Sequence, residues 1–433
     1  MNKRLATSLL ILMFATGPAA TRSEVMSAAA KQEFAFEPQG RVLEKGSDAQ
    51  LAVRASGELF LMRLRDGDIW VQTSPDGGDS FEGGVRVNDS GSVASHSENT
   101  PLMIVRSMHE FYVLWSAEDG SERTSLRMAR SMDWGRSFGK SIAVDPTGGA
   151  SQSFYTMAVA PDGAVYVAWL DGRDRGQGKQ GSSGLYIARS TNRGQSFEKS
   201  VRVAVNVCPC CRPSIAFADS KTLYIGWRGV FEGEVRDILV GTSTDAGASF
   251  AAPIRVSNDN WAINGCPHSG PSLATLGGKL FAAWRTVSGE SSHLYIAWSE
   301  NGAHFSPRVE ADTNLFDANH PRLISLDGAL GLVFQARQRS ENGWDKFDVY
   351  FRQIDKFAAL SPLQRLGHAV GSATYPAPLF ERPDHFFVTW TERTDDGAKV
   401  VMARGRRVLA KTAGSAAHGI GRKPVASFKK GES

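Results

Sequence analysis

The eight residues Ser243-Thr-Asp245-Ala-Gly247-Ala-Ser249-Phe250 recur along the chain and decide its architecture. Close copies begin at Ser74, Ser131 and Ser190, and a copy that is one residue shorter begins at Ser299. Successive copies therefore start 57, 59, 53 and 56 residues apart. A fixed period of this length indicates a repeat architecture, in which each repeat forms one supersecondary unit.

Each copy has the residues of a β-turn. The Asp side chain, replaced by Asn192 in the copy at Ser190, can accept backbone N–H groups across the turn. The Gly provides a positive φ that other residues resist, and the Phe is placed to bury its ring. We therefore expect these turns to be structural features of the repeat.

Two predicted strands flank each turn, and the strand before them usually ends in Trp. Examples are Phe111–Trp115, Val165–Trp169, Leu223–Trp227, Leu280–Trp284 and Phe386–Trp390, and the segments starting at Leu59 and Leu330 fill the same slot. An earlier strand, often opening on Pro, makes four strands per unit. Seven four-stranded units predict an all-β protein, a seven-bladed β-propeller spanning residues 34–408.

The seventh unit ends near Arg404 without a clear fourth strand. The segment Phe36–Val42 resembles Phe81–Val87, which follows the first turn. We therefore predict that an N-terminal strand completes the last blade and closes the ring, because closure removes exposed sheet edges.

Both ends of the chain differ from the repeats. Residues 1–23 combine a basic start, a short apolar run and small residues, which is typical of a secretory signal peptide. Residues 409–433 are rich in Gly, Ala, Lys and Ser, and we expect a disordered basic tail. No later stretch is long and apolar enough to span a membrane, so we expect a periplasmic or secreted protein. The net charge of +4 gives no basic stripe for nucleic acid.

The repeated turn resembles the Asp-box of the sialidase (BNR-repeat) superfamily, and the chain resembles that superfamily over most of its length. The resemblance is that of a divergent, exported bacterial member. It implies a propeller and a structural role for the turns. Sialidases have six blades, so a six-bladed ring with one divergent repeat is the alternative to seven.

Chemically rich residues lie in the loops that lead into the innermost strands, here called the mouth loops. Antiparallel strands alternate in direction, so these loops share one face and the repeated turns share the other. We expect the mouth loops to supply a copper or zinc site, since thiolate and imidazole suit both ions. The candidate ligands are Cys208, Cys210, Cys211, Cys266, His268 and His320. Two structural disulfides, or a reactive thiol, are the alternatives for the cysteines.

The sialidase resemblance implies a second chemistry at the same rim. Sialidases use three arginines on the sugar carboxylate, a Tyr–Glu nucleophile and an Asp acid–base catalyst. The weak candidates here are Arg212, Arg285, Arg322 and Tyr375, which no motif defines. Phosphate-loop, nucleophile-elbow and His-Glu-x-x-His motifs are missing from the sequence.

Three functional hypotheses follow. The first is an exported sialidase-like propeller that binds copper or zinc at the channel mouth, for metal handling or a metal-dependent reaction. The second is an exo-sialidase-type glycoside hydrolase that acts on an anionic glycan. The third is a non-catalytic propeller, stiffened by disulfides, that binds a glycan or another exported protein.

Overall fold

A computed structural model describes residues 32–409, except for 39, 55, 90–91, 108, 119, 121–122, 148–149, 178–180, 289–290, 341–342, 368–369 and 383–384. Ala35–Arg406 forms one compact unit. Of the other unit only 32–34 and 407–409 are described, as parts of the strands Gln32–Phe36 and Gly397–Leu409. The predicted signal peptide and residues 410–433 of the predicted tail lie outside the described residues.

Seven antiparallel sheets form the seven predicted blades. Blade one contains Ser47–Val53, Leu59–Arg65, Asp68–Ser74 and Glu82–Arg86. Blade two contains Leu102–Ser107, Glu110–Glu118, Thr124–Ser131 and Ile142–Ala143, with Ser92–Val93 also paired to its second strand. Blade three contains Gln152–Val159, Val165–Asp171, Ser183–Ser190 and Val201–Val207. Blade four contains Ser214–Phe217, Leu223–Arg228, Ile238–Ser243 and Ile254–Arg255.

Blade five contains Ser272–Leu276, Lys279–Ser288, Ser291–Ser299 and Val309–Glu310. Blade six contains Phe316–Ser325, Leu330–Arg337, Asp348–Ile354 and Gln364–Arg365, beside a small ribbon of Arg339–Ser340 and Gly343–Trp344. Blade seven contains Ser372–Arg382, His385–Thr394 and Gly397–Leu409. The described helices are two single 3₁₀ turns, Gly172–Asp174 and Glu232–Glu234. Within the described ranges, no helix has the length and apolarity needed to cross a membrane.

The N-terminal segment completes blade seven, as predicted. Arg41–Lys45 pairs antiparallel with Gly397–Leu409, and the Glu37 N–H donates to the Arg404 carbonyl at 3.0 Å. The innermost strands of blades one and seven contact each other, as do those of every other adjacent pair of blades. The ring of seven blades is therefore closed, and the six-bladed alternative is wrong.

The second strand of each blade is the most buried, because adjacent sheets cover both of its faces. Trp115, Trp169, Trp284 and Trp390 stand at equivalent places in these strands and are at most 1 % exposed. These segments are rich in aromatic and β-branched residues because each strand is buried between two neighbouring sheets.

The repeated turns join strands three and four and are held by their own side chains. Asp76 accepts from the backbone N–H groups of Asp79 at 2.9 Å and of Ser80 at 2.8 Å, while the Ser74 hydroxyl accepts from the Gly78 N–H at 2.7 Å. Gly78 has a φ of +98°, which favours glycine. The turns beginning at Ser131 and Ser243 repeat this pattern, so the period in the sequence is the period of one local geometry.

The innermost strands of blades six and seven begin earlier than predicted. The sequence predicted that the innermost strand of a blade often opens on Pro, but Pro321 of blade six and Pro376 of blade seven both lie inside their strands. Proline lacks an N–H, so the ladder changes register there, and His320 and Tyr375 adopt φ values of +52° and +54°. The two bulged residues lie at the channel mouth, where the centroids of the His320 and Tyr375 rings are 4.6 Å apart.

Candidate functional site

Three cysteines of the blade-four mouth loop meet in the interior. Cys208, Cys210 and Cys211 are each at most 3 % exposed. The Cys208 Sγ lies 3.7 Å from the Cys210 Sγ and 3.6 Å from the Cys211 Sγ. All four cysteines of the chain are free thiols in the structure, and these separations exceed the roughly 2.05 Å of a disulfide bond.

The blade-five mouth loop adds two more of the predicted ligands. The Cys210 Sγ, the Cys266 Sγ and a ring nitrogen of His268 all lie within 4.8 Å of one another. Cys266 is exposed and His268 is half-buried. Cys210 belongs to both groups, so five side chains from two adjacent blades converge on it. We call these five residues the thiol cluster.

The backbone brings the two mouth loops into contact. The Cys208 N–H donates to the Arg228 carbonyl at 2.8 Å, which extends the blade-four ladder into the loop. Gly270, in the blade-five loop, lies so close to blade four that a Cβ at this position would overlap the Arg212 carbonyl oxygen. A glycine is therefore required where the loops cross.

Charge in the thiol cluster is uneven. Hydrogen bonds from the Cys210 and Cys211 thiols, together with the nearby positive charge of Arg228, lower the pKa of Cys208 well below its usual value. Burial raises the pKa of Cys211 to about 12, and the pKa of Cys210 is also raised, because its proton is held by Cys208. The hydrogen bonds within the cluster thus favour the charged form of Cys208 over those of Cys210 and Cys211.

His320 lies beside the thiol cluster and outside both metal-ligand groups. Its Nε2–H donates to the His268 carbonyl at 2.9 Å, and its ring packs 4.6 Å from the Tyr375 ring. Burial lowers the pKa of His320 to about 4, so the ring is neutral at pH 7. The structure therefore gives His320 a position supporting the backbone of His268.

Glu98 is the buried acid that the sequence reasoning missed. It belongs to the blade-two mouth loop and is fully buried. Its Oε2 accepts from the backbone N–H groups of Gly270 at 2.7 Å and Arg212 at 3.1 Å, and its Oε1 faces Arg322 at 3.4 Å. The loop thus reaches across the channel mouth to blades four, five and six. The only sequence signal was a carboxylate three residues before Pro101, in the loop class already singled out.

The three sialidase-type arginine candidates do not form a free anion clamp. Arg212 is 8 % exposed and donates to the Glu98 carbonyl and to the Thr100 hydroxyl at 2.7 Å. Arg322 faces Glu98. Arg285 stacks on Trp261, with 5.1 Å between its guanidinium carbon and the ring centroid. The Arg212 guanidinium is therefore bound to the Glu98 carbonyl and to Thr100, and Arg322 is paired with the Glu98 carboxylate.

Arg228 directly follows Trp227 in blade four, as Arg285 follows Trp284 in blade five, and its side chain supports the backbone of the mouth loops. It is fully buried and donates to three backbone carbonyl groups, those of Ser269, Arg236 and Arg285. Its guanidinium carbon also lies 5.3 Å from the centroid of Trp261. Its charge therefore reaches the thiol cluster from a fixed position.

A cavity of about 540 Å³ follows the central channel and is lined by the innermost strands of all seven blades. Arg212 and Arg322 line it, together with apolar side chains such as Met103, Met157 and Leu323. The cavity has the volume of a small-molecule site, and the two arginines in its wall are both bound to Glu98.

Comparisons with known proteins give the fold. No family model and no curated protein match the chain. An ulvan lyase of a polysaccharide lyase family, solved with a GlcA–Rha3S ligand, is 10 % identical, with a TM-score of 0.56 over 84 % of this chain and 95 % of that one. The polysaccharide lyase Uly1 is 9 % identical, with a TM-score of 0.50 over 89 % and 95 %. A Dyadobacter fermentans protein of unknown function is 14 % identical, with a TM-score of 0.50 over 86 % and 98 %. At these identities the likeness shows a shared propeller fold.

Proposed function

We propose that this protein is an exported propeller that binds one soft metal ion, copper(I) or zinc(II), through the thiol cluster. The observation that carries the proposal is the position of Cys210. Its Sγ lies close to two buried thiols of its own loop and to Cys266 and His268 of the next blade. Five soft or borderline donors around one point is a composition that favours these two ions.

The sulfur separations support a common ion. Two sulfurs that each lie about 2.3 Å from one zinc at a tetrahedral angle are about 3.8 Å apart. The Sγ atoms of Cys208, Cys210 and Cys211 are 3.6 and 3.7 Å apart without an ion. The cluster would therefore need little rearrangement to bind, which lowers the cost of ordering the ligands.

The donor set suggests how the two ions would differ. Copper(I) would use the three buried thiols, since thiolates alone satisfy it. Zinc would use four ligands and would draw Cys266 or His268 into the shell. The buried charge of Arg228 supports either arrangement, because it offsets part of the negative charge of several thiolates.

A carbohydrate ligand is the second candidate function. Polysaccharide lyases with the same fold, and the cavity of about 540 Å³ along the channel, support it. The sialidase-type variant of this idea has less support, because Arg212 and Arg322 are engaged with Glu98. Cleavage of a fluorogenic sialoside or of a polyuronate by the purified protein, with metal removed, would favour this candidate over metal handling.

The test is elemental analysis of protein purified from the periplasm without chelators, together with a free-thiol count. We expect Cys210→Ser to contain about one copper or zinc per chain less than wild type. Zinc at the thiol cluster should also be reduced on His268→Gln, whereas copper bound by the three buried thiols should not be. His304→Gln changes an exposed histidine on the turn between strands three and four, and it should leave the metal content unchanged. Four oxidised thiols without metal, or full metal in Cys210→Ser, would overturn the proposal in favour of structural disulfides or of a different site.

A further inference from the structure

Three blades carry the same ion pair at their outer strands. In blade one Asp68, at the start of strand three, pairs with Arg86 of strand four at 3.1 Å. Asp237 pairs with Arg255 in blade four, and Asp348 with Arg365 in blade six. Strand register shows that these positions are equivalent, because each Arg is the ladder partner of the residue two places after its Asp.

Blade five replaces this pair with residues of different charge. His293 stands where the other blades have Asp, and Glu310 stands where they have Arg, with Tyr295 and Glu310 as ladder partners. Two residues further on, Asp312 occupies the place of Asn88 in blade one. Asp312 Oδ1 accepts from the Leu294 N–H at 3.0 Å, as Asn88 accepts from the Ile69 N–H at 2.9 Å.

The second carboxylate oxygen of Asp312, Oδ2, accepts no comparable backbone hydrogen bond among the described residues. Asp312 is fully buried, and its Oδ2 has no hydrogen-bond partner among the described residues. The His293 Nδ1 lies 3.4 Å away and also lacks a hydrogen bond. A ring nitrogen of His293 and one oxygen each of Glu310 and Asp312 all lie within 4.8 Å of one another.

The two carboxylates lack the direct Arg ion pair that the sister blades have. Within the described ranges, neither Glu310 nor Asp312 forms an ion pair with an Arg or Lys. Arg308 pairs with Asp259, and Arg352 donates to the carbonyl groups of Ser361 at 2.8 Å and Ala311 at 3.0 Å. Blade five has therefore lost the guanidinium of its sister blades and gained a carboxylate. The buried Oδ2 of Asp312 has no hydrogen-bond donor among the described residues, which is costly for a carboxylate.

We propose that a divalent cation, Zn²⁺, binds at His293, Glu310 and Asp312 and takes the place of the missing guanidinium charge. One imidazole and two carboxylates are ligands that zinc accepts, with a fourth position left for water or a substrate atom. This site shares no residue with the thiol cluster, and it is independent of the proposed function.

The repeat supplies a matched variant. The double substitution His293→Asp and Glu310→Arg rebuilds the ion pair of blades one, four and six, and it should fold while removing two ligands. Asp312→Asn keeps an oxygen for the Leu294 N–H and removes the ligand charge. Losing a supporting partner of a metal ligand already costs about 10–100-fold in affinity, so we expect each variant to weaken this zinc binding by roughly a hundredfold or more.

The experiment is calorimetric titration of the full chain, stripped of metal, with ZnCl₂, alongside Co²⁺ absorption. Wild type should bind one more Zn²⁺ than either variant, with the thiolate-to-cobalt charge-transfer band unchanged in all three. An unchanged zinc count in both variants, or complete loss of zinc binding in Cys210→Ser, would overturn the blade-five site. If wild type showed no charge-transfer band but still bound a zinc that depends on His293, the thiol-cluster proposal would be refuted and the blade-five site would be supported.

Discussion

Replacing the buried Glu98 with Ala should strongly destabilise the propeller. Glu98 is fully buried, accepts from the backbone N–H groups of Gly270 and Arg212, and faces Arg322. Its removal leaves two buried donors and one guanidinium without their acceptor. Breaking a buried charge pair from one side costs about 3–5 kcal/mol, and we expect Glu98→Ala to fall in that range.

The expected shift in melting temperature follows from the size of the unit. Unfolding entropy is roughly 2.1 cal/mol/K per residue, which gives about 0.8 kcal/mol/K for the roughly 370 residues of Ala35–Arg406. A loss of about 3–5 kcal/mol therefore lowers the melting temperature by roughly 4–6 °C. Scanning calorimetry of the purified protein at pH 7 measures this shift directly.

Two further variants test the physical cause. Glu98→Gln keeps an oxygen for the N–H groups and loses only the charge, so it should cost about 1–3 kcal/mol. Adding Arg322→Met to Glu98→Ala should recover part of the loss, because the unpaired guanidinium is then absent. Glu300→Ala is the control, since its side chain is 80 % exposed and pairs with Lys279 at 3.6 Å. A Glu98→Ala protein that melts within about 1 °C of this control would refute the reasoning.

Two other predictions concern the repeat and its pH dependence. Gly194→Ala should cost about 2–4 kcal/mol of unfolding free energy, because Gly194 has a φ of +70° and the new Cβ would lie 2.8 Å from Tyr112. Gly67→Ala, at a φ of +83° with open space around the new Cβ, should cost only about 1–2 kcal/mol. Equal losses of stability in urea unfolding would exclude the packing contribution. Asp145 is buried, which raises its pKa, but hydrogen bonds led by that from the Ser200 hydroxyl outweigh burial and hold the pKa at about 2. Its folded pKa is below the unfolded value of about 3.9, so its stabilisation is present above pH 4 and is lost as the pH falls toward 2. Asp145→Asn should therefore destabilise the protein at pH 6 and not at pH 2, and a loss that is the same at both pH values would contradict this assignment.

The sequence alone predicted most of the architecture. Each blade repeats one local geometry, so the turn residues, the buried second strands and the missing strand of blade seven were all visible as a period in the chain. The same equivalence predicted that Cys208, Cys210, Cys211, Cys266 and His268 would share the channel mouth, and the structure brings these five together. Position within a repeat is a local property, and sequence patterns report local properties well.

The contacts across the channel could be identified only from the tertiary structure. Glu98 of blade two contacts residues of blades four, five and six, including Arg212 and Arg322. These contacts depend on the path of one mouth loop, which the sequence period does not describe. The blade-five cluster escaped notice for a related reason, because Glu310 and Asp312 are distant from His293 in sequence and meet it only through strand pairing. Repetition thus determined which blades exist and which face their loops share. The packing of side chains from different loops decided which charges are neutralised internally, because ion pairs between loops depend on the path of each loop across the channel mouth.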